Sequence, residues 1–142
     1  MATTRNAHAG WTGDLPTGAG QVTLDSSGLG TFDLTWKARA VAAEGKTSPE
    51  ELIAAAHSGC FAMAFTNALG EAGHAADYVN TTAAVTFEPG VGITGSHLTL
   101  SAKIHGISAE EFATIADGAK AGCPVSAALA GVAITLDATL DA

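Results

Sequence analysis

Two thiols, a histidine, an arginine and a glutamate are the residues of this chain whose types and spacing could do chemistry. Cys60 stands in the run His57-Ser58-Gly59-Cys60-Phe61-Ala62-Met63. At i and i+3 on a helix, His57 and Cys60 share a face, so the imidazole could serve as a base, a metal ligand or a core histidine with its hydrogen bonds satisfied. On spacing alone Cys60 reads first as a small apolar core side chain, with a nucleophile as the other reading. Cys123 precedes Pro124, which places it at a helix N-terminus where unpaired amides and the helix dipole favour a thiolate. By local electrostatics Cys123 is therefore the more acidic of the two thiols. A reactive Cys60, inside its helix, needs an external cation.

The chain has only two arginines. Arg5 lies in the tail, which leaves Arg39, expected at the end of a third strand. Glu50 and Glu51 are ordinary first-turn helix acids, but one of them could orient a guanidinium through a bidentate pair. Ten helical residues rise about 15 Å and turn about 280° beyond whole circles. Glu50 thus cannot touch the Cys60 sulfur of its own straight helix, and an arginine bridge or a second chain is required. His57, Cys60, Cys123 and one of His97 or His105 could supply a zinc site, although their spacing matches no compact zinc motif. Glycine-rich stretches such as GLGTF do not lead from a strand into a helix with nucleotide-binding spacing.

The elements that must position these residues follow from patterning. From Gly10 to Arg39, short alternating segments separated by glycine and serine turns predict a three-stranded meander. Ser48 as N-cap, Pro49 at N1 and two acids predict a helix from Pro49 to Leu69. It is apolar on nearly every face, so it belongs at the centre of the fold or of a dimer. His57, Ser58, Gly59, Thr66 and Asn67 interrupt it and acids flank it, as in a buried helix of a soluble protein rather than a membrane span. Val79 to Phe87 and Gly92 to His105 alternate with period two across Pro89-Gly90, predicting a hairpin. Ser108 and Glu111 have capping-box spacing and open a helix that stops near Gly122. A short helix from Pro124 and a strand from Ala133 to Leu140 complete an α+β order.

At 142 residues with 47% hydrophobic and 14% charged side chains, the chain is bounded to one domain, residues 1–142, and is too apolar to be disordered. The formal charge of −8 comes from 14 acids against six scattered bases. No basic stripe exists for nucleic acid. The opening MATTRNAHAGWTGD has neither the apolar core of a signal peptide nor an arginine-rich transit helix, so a cytoplasmic location is expected.

The run from Thr47 to Ala64, TSPEELIAAAHSGCFAMA, and the later Ala119 to Ser126, AKAGCPVS, resemble the OsmC/Ohr family of osmotically inducible and organic hydroperoxide resistance proteins. The opening Ala7 to Asp14, AHAGWTGD, is similar to the OsmC branch. The resemblance implies an α+β fold with antiparallel sheets packed around a long buried central helix. It also implies an intertwined homodimer with active sites at the subunit interface, and a thiol peroxidase without metal or organic cofactor. By position, Cys60 would be peroxidatic, Cys123 would resolve its sulfenic acid as a disulfide, and Arg39 held by Glu50 would activate Cys60. Phe61, Met63 and Phe65 would offer an apolar wall favouring organic hydroperoxides over hydrogen peroxide. A dithiol such as dihydrolipoamide or a lipoylated protein would be the reductant. Against this stand a hydrophobic-ligand-binding or stress-response member without efficient turnover, and the zinc module.

Overall fold

Two turns fold residues 7–34 into a meander. A computed structural model describes residues 1–142 and divides into two compact units, Met1–Leu52 and Ile53–Ala142. In the first, strands β1 (Ala7–Thr12), β2 (Ala19–Leu24) and β3 (Thr31–Leu34) form an antiparallel sheet in sequential order. Asp14 organises the first turn by accepting from the Thr17 N–H and hydroxyl at 2.9 and 2.6 Å. Gly20 must be glycine, because a Cβ there would stand 2.4 Å from the Gly10 carbonyl oxygen and 2.6 Å from the Trp11 ring.

The meander ends sooner than the alternation predicts. Residues Trp36–Ala40 form a short helix, α1, so Arg39 sits in a helical turn rather than at a strand end. The cause is Thr35, whose hydroxyl accepts from the Ala38 N–H at 3.0 Å and caps the turn.

Helix α2 (Pro49–Glu71) starts where the N-cap predicts, with Ser48 Oγ accepting from the Glu51 N–H at 3.1 Å. It is long and apolar enough to cross a membrane by length and composition. Beyond Glu50 in its first turn, its buried residues nevertheless recur every fourth position, His57, Phe61, Phe65 and Leu69, as one core-facing stripe. Ala55, Ala56, Gly59 and Met63 face outward, Met63 at 76% exposure. The helix expected to be buried all round is thus covered along one side by its own chain.

Strands β4 (Ala76–Glu88) and β5 (Gly92–Ile104) form the predicted hairpin across Pro89-Gly90, with Gly90 at φ +83°. Helices α3 (Ala109–Gly122) and α4 (Pro124–Ala128) carry the chain to β6 (Ala133–Asp141), which pairs with β5 in parallel. The second sheet, in order β4-β5-β6, is therefore mixed rather than wholly antiparallel. A parallel partner needs a crossover of a dozen or more residues, and α3 with α4 supplies it. The core is one cluster of Phe61, Phe65, Leu69, Leu98, Leu100, Ala102, Ile104, Phe112, Ala116, Ala119 and Cys123. Phe65 meets Phe112 edge to face at 5.7 Å. Ser108 caps α3 through the Glu111 N–H, but the Glu111 carboxylate turns to His74 instead of closing the capping box.

Candidate active site

Residues 63 positions apart bring two sulfurs together. Cys60 lies on the fourth helical turn of α2, partly exposed, and Cys123 at the junction of α3 and α4, fully buried. Their Sγ atoms are 2.9 Å apart, within reach of an S–H···S hydrogen bond, and both thiols are free. The junction is fixed by Pro124, which cannot continue α3 and starts α4 with Cys123 as its N-cap.

The two thiols differ electrostatically as their positions predict. Burial pushes the Cys60 thiol up, and the adjoining Cys123 sulfur pushes it further, against a lowering contribution from the Val125 N–H. Burial also raises Cys123, yet the Cys60 thiol, the Ser126 N–H and hydroxyl, and the Val125 N–H together hold it below the ordinary cysteine value. The two shifts run in opposite directions, up for Cys60 and down for Cys123. Making Cys60 the nucleophile requires a positive charge supplied from elsewhere.

A second constellation forms within residues 1–52. Arg39 Nε donates to Glu50 Oε1 and Oε2 at 3.0 and 3.2 Å, and Nη2 donates to Oε1 at 2.8 Å. Glu50 is buried and the Arg39 side chain about one-third exposed. The caps of two helices make the pair: Thr35 sets α1, whose last turn carries Arg39, and Ser48 sets α2, whose first turn carries Glu50. This fork geometry fixes the plane of the guanidinium, which a lysine could not reproduce.

His57 is fully buried with both ring nitrogens engaged, Nδ1 with Ser96 Oγ at 2.7 Å and Nε2 with Ser126 Oγ at 2.8 Å. It is the satisfied core histidine among the three options its spacing allowed, and it has no nitrogen left for a metal. His97 pairs with Thr135 and Asp137, and His105 with Asp77, away from the thiols. No group of three or more His, Cys, Asp or Glu side chains is arranged to hold a metal ion. Phe61 and Phe65 belong to the closed core against which Cys60 packs, and Met63 faces outward. Ser96 and Ser126 escaped the sequence reading. The available signal for Ser96 was its place on the inward face of β5, in register with Leu98, Leu100, Ala102 and Ile104. A hydroxyl on a core face needs a partner.

Comparison with known proteins bears on the family and the fold. The profile of the OsmC-like protein family matches residues 42–137. Peroxiredoxin OsmC of Escherichia coli (strain K12) is 40% identical over 140 residues, covering 96% of each chain, and the Shigella flexneri protein of that name matches equally. Among solved structures, an OsmC-like protein from Mycoplasma pneumoniae superposes with a TM-score of 0.74 at 14% identity, each chain fully covered. The organic hydroperoxide resistance protein OhrB of Bacillus subtilis superposes with a TM-score of 0.66 at 24% identity, over 94% of this chain and 98% of that one. These two likenesses establish a shared fold. With a family profile spanning both the Glu50 segment and the two cysteines, and a full-length relative at 40% identity, the chain belongs to the OsmC family.

Proposed function

We propose that this protein is a thiol peroxidase that reduces organic hydroperoxides, and hydrogen peroxide less efficiently, with Cys60 as the peroxidatic and Cys123 as the resolving residue. The observation that carries the reading is the 2.9 Å approach of a partly exposed sulfur to a buried one. The peroxiredoxin name of the 40% identical Escherichia coli relative supports the reaction class, and the likeness to the organic hydroperoxide resistance protein of Bacillus subtilis supports the substrate class.

In this reading Arg39, held by Glu50, provides the cation that Cys60 lacks. The Cys60 thiolate attacks the terminal peroxide oxygen, the O–O bond breaks, and the alkoxide leaves and takes a proton as alcohol. Cys123 then attacks the Cys60 sulfenic acid, the S–O bond breaks, and hydroxide leaves and is protonated to water. The resulting disulfide is reduced by thiol exchange with a dithiol, with dihydrolipoamide or a lipoylated protein as the candidate. The thiols themselves carry the electrons, with no metal or organic cofactor in any step. The active unit is a homodimer in the cytoplasm. The outward apolar face of α2 supports the second copy.

The deciding experiment titrates free thiols in the reduced protein before and after one equivalent of cumene hydroperoxide, beside hydrogen peroxide and a Cys60→Ser variant. Loss of both thiols per chain, faster with the organic peroxide and absent in the variant, is expected. Survival of both thiols would overturn the peroxidase reading and favour a ligand-binding member. A mixed dimer of Cys60→Ser and Glu50→Ala subunits assigns the pairs: recovery of one site means that they act across the two chains.

A further inference from the structure

Beside the sulfur contact lies a second contact between the same two helices. On α2, His57 precedes Cys60 by three residues, and on α4 with its N-cap, Ser126 follows Cys123 by three. His57 Nε2 meets Ser126 Oγ at 2.8 Å, and Cys60 Sγ meets Cys123 Sγ at 2.9 Å. Residues three apart on a helix share a face. The two contacts are therefore neighbouring rungs of one antiparallel α2–α4 ladder, the first of nitrogen and oxygen, the second of sulfur. His57, Ser126 and Cys123 are buried and Cys60 is only partly exposed, so water does not compete for the first rung.

The two sides of the ladder are held unequally. Helix α2 is 23 residues long, and at the rungs it is tied to the second sheet twice. Ser96 Oγ on β5 meets His57 Nδ1 at 2.7 Å, and Thr81 Oγ1 on β4 donates to the Ser58 carbonyl oxygen at 2.9 Å. Helix α4 has five residues, too few to stand by its own hydrogen bonds, and Val125 is the side chain it packs against the core cluster. The sulfur rung cannot hold α4 throughout a reaction, because it is the part that changes. Once Cys60 carries an oxygen, the S–H···S contact is gone, and the His57–Ser126 bond remains to keep the helix in place. A disulfide is about 2.05 Å long, so closing it from the present separation asks for a small movement that the first rung can survive.

We propose that His57 and Ser126 are a positioning pair, the permanent rung that keeps α4 in register on α2 in every redox state and so sets the effective concentration of the Cys123 sulfur at Cys60. The inference deepens the peroxidase reading above and rests on it for the resolving step. In that step the Cys123 sulfur forms the S–S bond with the Cys60 sulfenic sulfur and the S–O bond breaks. The leaving hydroxide takes up the proton released by the Cys123 thiol and departs as water. His57 gains and loses no proton: a neutral ring offers one N–H and one lone pair, and the serine hydroxyls at its two nitrogens donate or accept to match. What the pair supplies is proximity.

The test equilibrates the full chain with mixtures of reduced and oxidised glutathione and reads the fraction of Cys60–Cys123 disulfide. Protein dithiol and oxidised glutathione give protein disulfide and two reduced glutathiones, so the effective concentration of one thiol at the other is obtained without peroxide. Ser126→Ala, which removes the rung, is expected to lower it about tenfold, a rise of about 30 mV in the potential of the disulfide. Disulfide formation after peroxide addition should slow by a similar factor, while loss of the first thiol keeps its rate. Ser96→Ala takes an equally buried hydroxyl from the same imidazole but leaves the rung, and should change the effective concentration less than about threefold. Equal losses in the two serine variants would assign the effect to general loosening and overturn the proposal. A change below about threefold in Ser126→Ala, or a parent chain that forms only mixed disulfides with glutathione, would overturn it as well. If the parent equilibrates with glutathione as expected but forms no disulfide with peroxide, the peroxidase reading fails and the rung stands.

Discussion

The two units of the chain order their chemical groups by different means. Residues 53–142 hold Cys123 inside a closed apolar cluster, with Cys60 packed against it. Residues 1–52 bury only Ala38 and Glu50, while Trp11, Leu15, Leu29, Phe32 and Val41 remain exposed. The arginine–glutamate pair is held there by helix caps and its own fork of hydrogen bonds rather than by packing. Rigid sulfurs suit a reaction that must bring two atoms to bonding distance. A cation that only has to present charge needs its plane fixed and little else. So few buried side chains also leave the first unit dependent on a covering surface, which the proposed second copy would provide.

The contrast can be broken most sharply at the sulfurs. Cys60→Ser is expected to remove about a thousandfold or more of peroxide turnover with no loss of fold, measured by peroxide consumption beside circular dichroism. Glu50→Gln should follow with a drop of about a hundredfold at neutral pH, and the deficit should shrink at alkaline pH where Cys60 ionises unaided. A deficit independent of pH would mean that the pair does not serve Cys60 ionisation.

Stability should divide the same way. Phe65→Ala opens the closed core and is expected to cost about 3–5 kcal/mol in chemical denaturation. Phe32→Ala, on the exposed meander, should shift the melting temperature only in a concentration-dependent manner if a second copy covers it. Equal losses at every protein concentration would show that Phe32 supports its own chain alone. His57 adds a pH term. Its folded pKa lies below the unfolded value, so the folded state binds fewer protons. The stability it contributes is complete above about pH 6.5 and declines as pH falls from there toward the folded pKa. His57→Gln should flatten that acid limb in urea midpoints. The smallest effect expected is Ser108→Ala, about 1 kcal/mol from the lost α3 cap.

Much of this architecture was legible because it is local. The β4–β5 hairpin follows from strict alternation, and α2 and α3 follow from serine caps with acids behind them. Helix α1 was hidden because its five residues continue a strand-like text, although the Thr35 cap was there to read. The parallel pairing of β6 could not be read, since its own alternation is satisfied by either neighbour direction. At the site, Arg39 and Glu50 were singled out from scarcity and charge, and the structure joins them. The approach of Cys60 to Cys123 has no local signal, and only the family resemblance anticipated it. His57 was ambiguous for a physical reason: its partners are plain serines on two distant elements, and spacing records nothing about them.

The sulfur contact also bears on the energetics of the oxidised protein. A bond between positions 60 and 123 would close a loop spanning the hairpin and all of α3, and tying off a loop of that size removes about 4 kcal/mol worth of unfolded-chain entropy. Turnover would therefore leave the molecule in its more heat-resistant form, and every reduction would loosen it again. Melting temperature becomes a gauge of redox state, readable without any label on the sulfurs.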